Sequence, residues 1–247
     1  MIARLSPGAE PGDWARGLRP VARSRADARQ AYDRASRWSR VEEPFERRAQ
    51  ASGLALLRVQ PGEGVLELGC GAGGALVALA RAVGPVGRTV GLDLSPRMIC
   101  LAAARLQRAG LADRAKLVVA DASAIPFADA SFDAVFMSFA LELFDTPEIP
   151  LVLAECRRVL RPGGRIGVVS LSRAAPVCWP TRLYERLHDR FPATLDCRPI
   201  HGRLALEAAG FEHLRSKTVP LWGLRAEAAV AFRSTAVPKA LGEEALR

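Results

Sequence analysis

The sequence predicts an α/β protein with a doubly wound, mainly parallel sheet, and three observations carry that expectation. An apolar strand, Val65–Leu68, opens directly into Gly69, Gly71, Gly73 and Gly74. Strand-like and helix-like segments then alternate as far as Leu171, and Gly, Pro or Ser marks the boundary of most helices. Strands joined by crossover helices pair in parallel and bury both faces of the sheet. Glycine at this density lets the backbone turn sharply and lets a ligand reach the main chain. The helix that follows presents free N–H groups and the positive end of its dipole. The stretch is therefore a strand–glycine-loop–helix site for a nucleotide-like ligand with an anionic group.

Residues 1–27 contain Pro7, Pro11, Pro20, Gly8, Gly12 and Gly17 and read as a flexible tail. A helical pattern starts at Ala28, with Tyr32, Ala35, Trp38 and Val41 as inward positions and Pro44 as its end. Phe45–Val59 reads as a second helix, with Ala49, Leu54 and Leu57 on one face, and Pro61-Gly62 leads into the first strand. Beyond the glycine loop, a helix from Ala75 stops near Gly84-Pro85, and Thr89–Leu94 is the second strand. Ser95-Pro96 supplies an N-cap and a proline at the first helical position for a helix ending at Gly110. Lys116–Ala120 and Phe132–Phe139 are the third and fourth strands. Thr146-Pro147 caps a helix running to Leu160, Pro162-Gly163-Gly164 breaks it, and Arg165–Leu171 is the fifth strand. Helices follow at Thr181–Phe191 and Gly202–Ala209, with short strands at His213–Val219 and Leu221–Leu224 as a late antiparallel hairpin.

A chain of 247 residues with 49% apolar and 25% charged residues suits one large domain with a well-buried core. The net charge of +9 is spread over the ends and not condensed into one run, which weighs against a nucleic-acid partner. An anionic membrane surface or an acidic small substrate is served equally well, so peripheral membrane contact is compatible, as is a homodimer. The five cysteines show no C-x-x-C and no His-paired spacing, so no metal site is expected. Neither a secretory segment nor a membrane span is legible, and a soluble, cytoplasmic protein is the expectation.

Gly69, Gly71 and Gly74 spell G-x-G-x-x-G, and Asp93 lies where an acid takes ribose hydroxyls, so a nicotinamide-dependent oxidoreductase is a rival. Other features tilt the choice. Glu67 on the strand would repel a pyrophosphate but suits a ligand carrying an ammonium. Asp121, ending the third strand and followed by Ala122, suits recognition of an adenine amino group. No Tyr-x-x-x-Lys pair serves hydride chemistry. A ligand with ammonium, carboxylate, ribose and adenine is S-adenosyl-L-methionine.

The chain resembles a class I S-adenosylmethionine-dependent methyltransferase, closest to the ubiquinone/menaquinone-biosynthesis type. The resemblance covers about residues 30–215. It rests on E-L-G-C-G-A-G (Glu67–Gly73), G-L-D-L-S (Gly91–Ser95), D-A-S-A-I-P-F (Asp121–Phe127), S-F-D-A-V (Ser131–Val135) and R-V-L-R-P-G-G (Arg158–Gly164). It implies a Rossmann-like seven-stranded sheet in the order 3-2-1-4-5-7-6 with strand 7 antiparallel. It also implies an N-terminal helical lid (28–60) on a methyltransferase domain (61–247). Carried over by position, Gly69, Cys70 and Gly71 would line the methionine part of the cofactor, and Glu67 would shape that loop or meet the ammonium through water. Asp93 would take the ribose hydroxyls, with Leu94 against the adenine and Met98 nearby. Asp121 and Ala122 would contact the adenine edge, Ser138 would face the sulfonium, and Tyr32 would close over the cofactor. Plainer roles stay open: Asp121 also suits a loop turn, Met98, Tyr32 and Trp38 suit core, and Cys70 suits a small filler.

Methyl transfer from a sulfonium needs alignment and exclusion of water, not a covalent nucleophile. A base is required only if the acceptor loses a proton, and His188 and His201 are the candidates, with Glu142 and Asp145 behind them. The apolar set Phe139, Leu141, Leu143 and Phe144 suits a dry pocket. The insert 173–203, with Trp179, Tyr184, Phe191 and several arginines, is expected to roof the acceptor site. A small hydrophobic or aromatic acceptor methylated on carbon or oxygen is the resulting expectation, quinone-precursor-like or natural-product-like. An RNA or lipid acceptor is the alternative.

Overall fold

The computed structural model describes residues 12–21, 25–35, 39–173, 179–191, 197–221 and 223–235. One seven-stranded sheet runs in the order β3-β2-β1-β4-β5-β7-β6. Its strands are β1 (Gly64–Leu68), β2 (Arg88–Asp93), β3 (Ala115–Val119), β4 (Phe132–Ser138), β5 (Leu160–Leu171), β6 (Phe211–Leu221) and β7 (Leu224–Arg233). The pairs among β1 to β5 are parallel, whereas β7 is antiparallel to both β5 and β6. The helices are α1 (Arg25–Ala35), α2 (Ser39–Leu57), α3 (Gly74–Ala82), α4 (Pro96–Arg108), α5 (Ile149–Val159), α6 (Trp179–Arg190) and α7 (Gly202–Ala208). The expected strand order, with strand 7 antiparallel, is the order found.

Alternation along the central strands divides the core into two layers. Leu66, Leu68, Val135, Met137, Ile166 and Val168 face α5 and α7, while Val65, Ala134, Phe136 and Val169 face α2 and α3. Every residue of β1 is buried, as a central parallel strand requires.

Several boundaries differ from expectation, each for a physical reason. Pro44 does not end a helix: α2 runs through it. One lost backbone donor is tolerated because the later turns of α2 lie directly on the sheet. A Cβ added to Gly53 would stand 2.3 Å from Val169, so glycine is what permits that approach. Arg165 then fixes the end of α2 through Leu57 O and Arg58 O and pairs with Glu63 at 2.7 Å. The expected lid segment 28–60 thus divides. α2 is a core layer, and only α1 lies against α4 beside the glycine loop.

Of the expected tail 1–27, residues 12–21 and 25–27 are described, and the former stretch is anchored. Asp13–Ala15 forms a 3-10 turn against α7, and Trp14 is 7% exposed within the core, an apolar burial that offsets ordering a short arm. Trp38 lies outside the described residues. β5 starts at Leu160, which pairs with Phe132 before a register shift, so Pro162-Gly163-Gly164 bulges out of a strand instead of preceding one. The expected late antiparallel hairpin is present, but its second strand, β7, covers Leu224–Arg233 instead of Leu221–Leu224.

Candidate functional site: the glycine loop and the cavity above it

The carboxyl ends of β1, β2 and β4 converge on one half-open cavity of about 220 Å³. Its wall includes Tyr32, Gly69, Gly71, Asp93, Leu94, Met98, Asp121, Ala122, Ser138, Phe139, Leu143 and Phe144. In an open α/β sheet such a crevice lies where strand order reverses, here between β1 and β4.

The loop is held from below. Cys70 donates its N–H to Leu92 O at 3.0 Å, and Gly73 donates to Cys70 O at 2.9 Å. Gly69, Gly71 and Gly73 all have positive φ, 65°, 50° and 80°, and two of them are also crowded, Gly69 severely and Gly73 moderately. A Cβ on Gly69 would lie 2.6 Å from Ala140 Cβ, and one on Gly73 would lie 3.1 Å from Ala102, whereas one on Gly71 would meet nothing within 4 Å. Gly71 thus opens onto the cavity, with no protein side chain filling the space beside it.

Asp93 organises the wall opposite. Its Oδ2 accepts from Gly71 N at 2.8 Å and its Oδ1 from Ser95 N at 2.9 Å. Burial pushes its carboxyl up, against the lowering effect of those two N–H groups. Ser95 caps α4 by accepting from Met98 N at 3.1 Å, so Asp93 is not needed as the cap. Ser95 Oγ also donates to Asp33 Oδ1 at 2.5 Å, latching α1 to the start of α4. Asp33 escaped the sequence reading, because one of two acids in an arginine-rich helix gives no signal.

Asp121 does two jobs at once. It faces the cavity, and its Oδ1 accepts from Ser123 N and Ser123 Oγ, each at 2.8 Å, forming a local turn. Arg158 holds the loop behind it, donating to Ile125 O and Phe127 O and pairing with Glu155 at 2.7 Å. Gln50 of α2 donates to Ser138 Oγ at 3.4 Å. Phe139, the next residue, has φ 51° and donates its N–H to Val169 O at 2.8 Å. A phenylalanine in that backbone region is strained, and it turns the chain from β4 into the cavity wall.

Glu67 and Cys70 lie beneath the loop, not on the cavity wall. Glu67 is 2% exposed, and burial, then the nearby charge of Asp93, pushes its carboxyl well above the usual range. Its Oε2 has no hydrogen-bond partner among the described residues. Cys70 is 4% exposed, and burial pushes its thiol up as well. A buried carboxylate under a glycine loop, open space at Gly71 and an acid at the end of β2 fit a ligand with an ammonium and a ribose.

Neither histidine stands on the cavity wall. His188 is 5% exposed on the inner face of α6, and His201 precedes α7, where burial and then Arg173 lower its basicity. Glu142 and Asp145 are committed elsewhere. Glu142 Oε1 accepts from Leu171 N at 3.0 Å, and Asp145 Oδ1 accepts from Val21 N at 3.0 Å. The expected roof 173–203 contributes Cys197 to the wall, but Trp179 and Phe191 point outward, 75% and 52% exposed. Tyr184 donates its hydroxyl to Cys197 O at 2.8 Å.

A buried guanidinium supports this side of the cavity. Arg198 is 0% exposed and donates to Phe144 O at 2.7 Å, Thr146 Oγ1 at 2.9 Å, Glu142 O at 3.3 Å and Arg19 O. It ties the anchored N-terminal arm to the loop carrying Leu143 and Phe144.

Comparison with known proteins agrees with this geometry. Residues 65–164 match the family described as a methyltransferase domain. The chain is 38% identical over 117 residues to a demethylmenaquinone methyltransferase of Lactobacillus johnsonii, covering 47% of each chain. It is 34% identical over 148 residues to that of Geobacillus kaustophilus, covering 60% of this chain and 59% of the relative. The matched stretch spans about half the length of these relatives. Among solved structures, the [4+2]-cyclase SpnF superposes with TM-score 0.68 at 18% identity, covering 88% of this chain and 99% of that one. An S-adenosylmethionine-dependent methyltransferase from Aquifex aeolicus superposes with TM-score 0.56 at 19% identity, covering 85% and 99%. Among the described residues no helix is long and apolar enough to cross a membrane. Residues 65–164 of this chain thus match a methyltransferase domain, and over about half its length the chain is similar to demethylmenaquinone methyltransferases.

Proposed function

We propose that the protein transfers a methyl group from S-adenosyl-L-methionine to a small hydrophobic or aromatic acceptor. The observation that carries this reading is the cavity itself: Asp93 on one wall, free space beside Gly71, and an apolar wall of Phe139, Leu143 and Phe144 beyond them. When bound, the donor supplies an electrophilic methyl on a positively charged sulfur. An ionised acceptor oxygen, or a ring carbon conjugated to it, would take the methyl in line as the carbon–sulfur bond breaks and the sulfur leaves as a neutral thioether. The hydroxyl proton is lost to water before transfer, and in the carbon case the ring proton follows it to water.

In this reading Asp93 accepts from the ribose hydroxyls while it also braces the loop at Gly71. Leu94, Met98 and Ala122 flank the adenine, and Asp121 meets its amino edge. Gly69 and Gly71 admit the methionine portion, with Glu67 below as a shaping acid, and Ser138 faces the sulfonium. Tyr32 on α1 closes the outer side, with α1 as the lid. The apolar wall keeps water from a reaction in which opposite charges vanish. No side chain of the cavity is assigned as a base, so an acceptor that ionises readily, a phenol or hydroquinone, suits the site. The relatives act on demethylmenaquinone, and a quinone precursor of that kind is one acceptor class; a natural-product ring is the other. The shared fold of SpnF is a reminder that fold alone does not choose the reaction.

The test uses methyl-labelled donor with naphthoquinols, simple phenols, RNA and phospholipid as separate acceptors. Label in the aromatic fraction supports the proposal. Label in RNA or lipid favours those acceptors instead, and tight donor binding with no transfer to any pool overturns the catalytic reading.

A further inference from the structure

We infer that the outer face of α6 docks on an anionic lipid surface. This helix is arranged opposite to an ordinary surface helix, which hides its apolar stripe. Its inner face carries Thr181, Glu185 and His188, which are 4%, 5% and 5% exposed. Its outer face carries Trp179, Leu183 and Leu187, with Phe191 directly after the helix, and these are 75%, 47%, 41% and 52% exposed. The repeated spacing of four places these residues along one stripe. Arg182, Arg186 and Arg190 repeat with the same spacing on the adjoining stripe, all exposed.

The charge pattern selects the occupant. The two acids of α6 are both engaged, Glu185 with Arg173 at 2.6 Å and Asp189 with Arg19 at 3.5 Å. No ion pair among the described residues involves Arg182, Arg186 or Arg190, and the Arg190 guanidinium lies 5.5 Å from the Phe191 ring centroid. A row of arginines beside a Trp/Leu/Phe stripe is the pattern of a helix lying in a membrane interface. There apolar side chains enter the acyl boundary and arginines reach phosphate headgroups. A second copy of the chain would bring two arginine rows together, which disfavours self-association through this face. The position also fits, because Tyr184 of α6 is bonded to Cys197, which lines the cavity. A docked protein would hold the cavity near lipid-dissolved molecules.

The test is sedimentation of the whole protein with vesicles of pure phosphatidylcholine and with vesicles containing roughly one-third phosphatidylglycerol. Expected is binding to the anionic vesicles that weakens with salt. Arg182→Gln/Arg186→Gln/Arg190→Gln should lower it by roughly 100-fold, about fivefold per arginine. Leu183→Asp/Leu187→Asp should abolish it. The affinity of each variant for S-adenosylhomocysteine reports on folding and on the methyltransferase reading separately. Vesicle binding lost with cofactor affinity intact supports docking through α6. Parent protein that ignores anionic vesicles, or variants that bind them like the parent, overturn it. So does a parent dimer that Leu183→Asp/Leu187→Asp converts to monomer.

Discussion

Two glycines only two positions apart separate the binding role of the loop from its folding role. Gly71→Ala puts a methyl group where no protein atom lies within 4 Å, so its folding cost is that of an alanine at φ 50°. That cost is about 1–2 kcal/mol, a fall of roughly 2–8 °C in Tm for a chain of this length. The same methyl enters the space assigned to the donor, where overpacking costs about 1–3 kcal/mol of affinity, or roughly 5- to 150-fold. Gly69→Ala reverses the balance. Its Cβ would lie 2.6 Å from Ala140 Cβ at φ 65°, so clash and backbone strain together cost about 2–5 kcal/mol of stability. Thermal melts and calorimetry with S-adenosylhomocysteine read the two effects independently. If Gly71→Ala binds within about twofold of the parent, the donor does not lie beside Gly71 and the site is wrongly placed. If both variants melt alike, the Ala140 contact is not what constrains Gly69.

Asp93→Asn keeps the shape but turns an amide nitrogen toward one of the two backbone donors, and it removes the charge offered to the ribose. Affinity for S-adenosylhomocysteine should fall by about 2 kcal/mol, and unchanged calorimetry would remove the ribose assignment. Glu67, pushed up by burial and then by Asp93, binds its proton more tightly in the folded chain than in the unfolded one. Its contribution is therefore fully present below pH 4.5 and lost as pH rises through the raised value. Glu67→Gln should flatten that decline and melt higher than the parent at pH ~8, and melts that keep the parental slope would refute the assignment. Arg198→Met orphans acceptors on two segments, the arm at Arg19 and the loop 142–146, and should cost about 3 kcal/mol, with faster hydrogen exchange at Arg19–Val21; unchanged exchange there would show that Trp14 and the Val21–Asp145 hydrogen bond hold the arm without Arg198.

Most of the fold was legible because it rests on local chemistry. Ser95-Pro96 starts α4, the glycines place the loop, and buried apolar runs mark β1, β2 and β4. The wall residues Asp93, Asp121 and Ser138 were legible for the same reason, since each ends or directly follows a strand whose register the apolar pattern sets. The extent of β7 was not legible. Its A-E-A-A-V-A-F stretch has the composition of a helix, and it is a strand because Ala226, Ala228, Ala229 and Ala231 fit beneath packed helices between β5 and β6.

The sequence by itself determined the order of the elements, the glycine loop and the acid that faces it, because each depends on neighbours within a few residues. Only the tertiary structure decided that α2 is core, that Trp14 is buried, that His188 and His201 stand off the cavity wall, and that the apolar face of α6 points outward. Those outcomes depend on pairs far apart in the chain, such as Gly53 with Val169, Arg198 with Arg19, and Ser95 with Asp33. Close packing and buried hydrogen bonds between distant segments leave no periodic trace in either partner's local sequence.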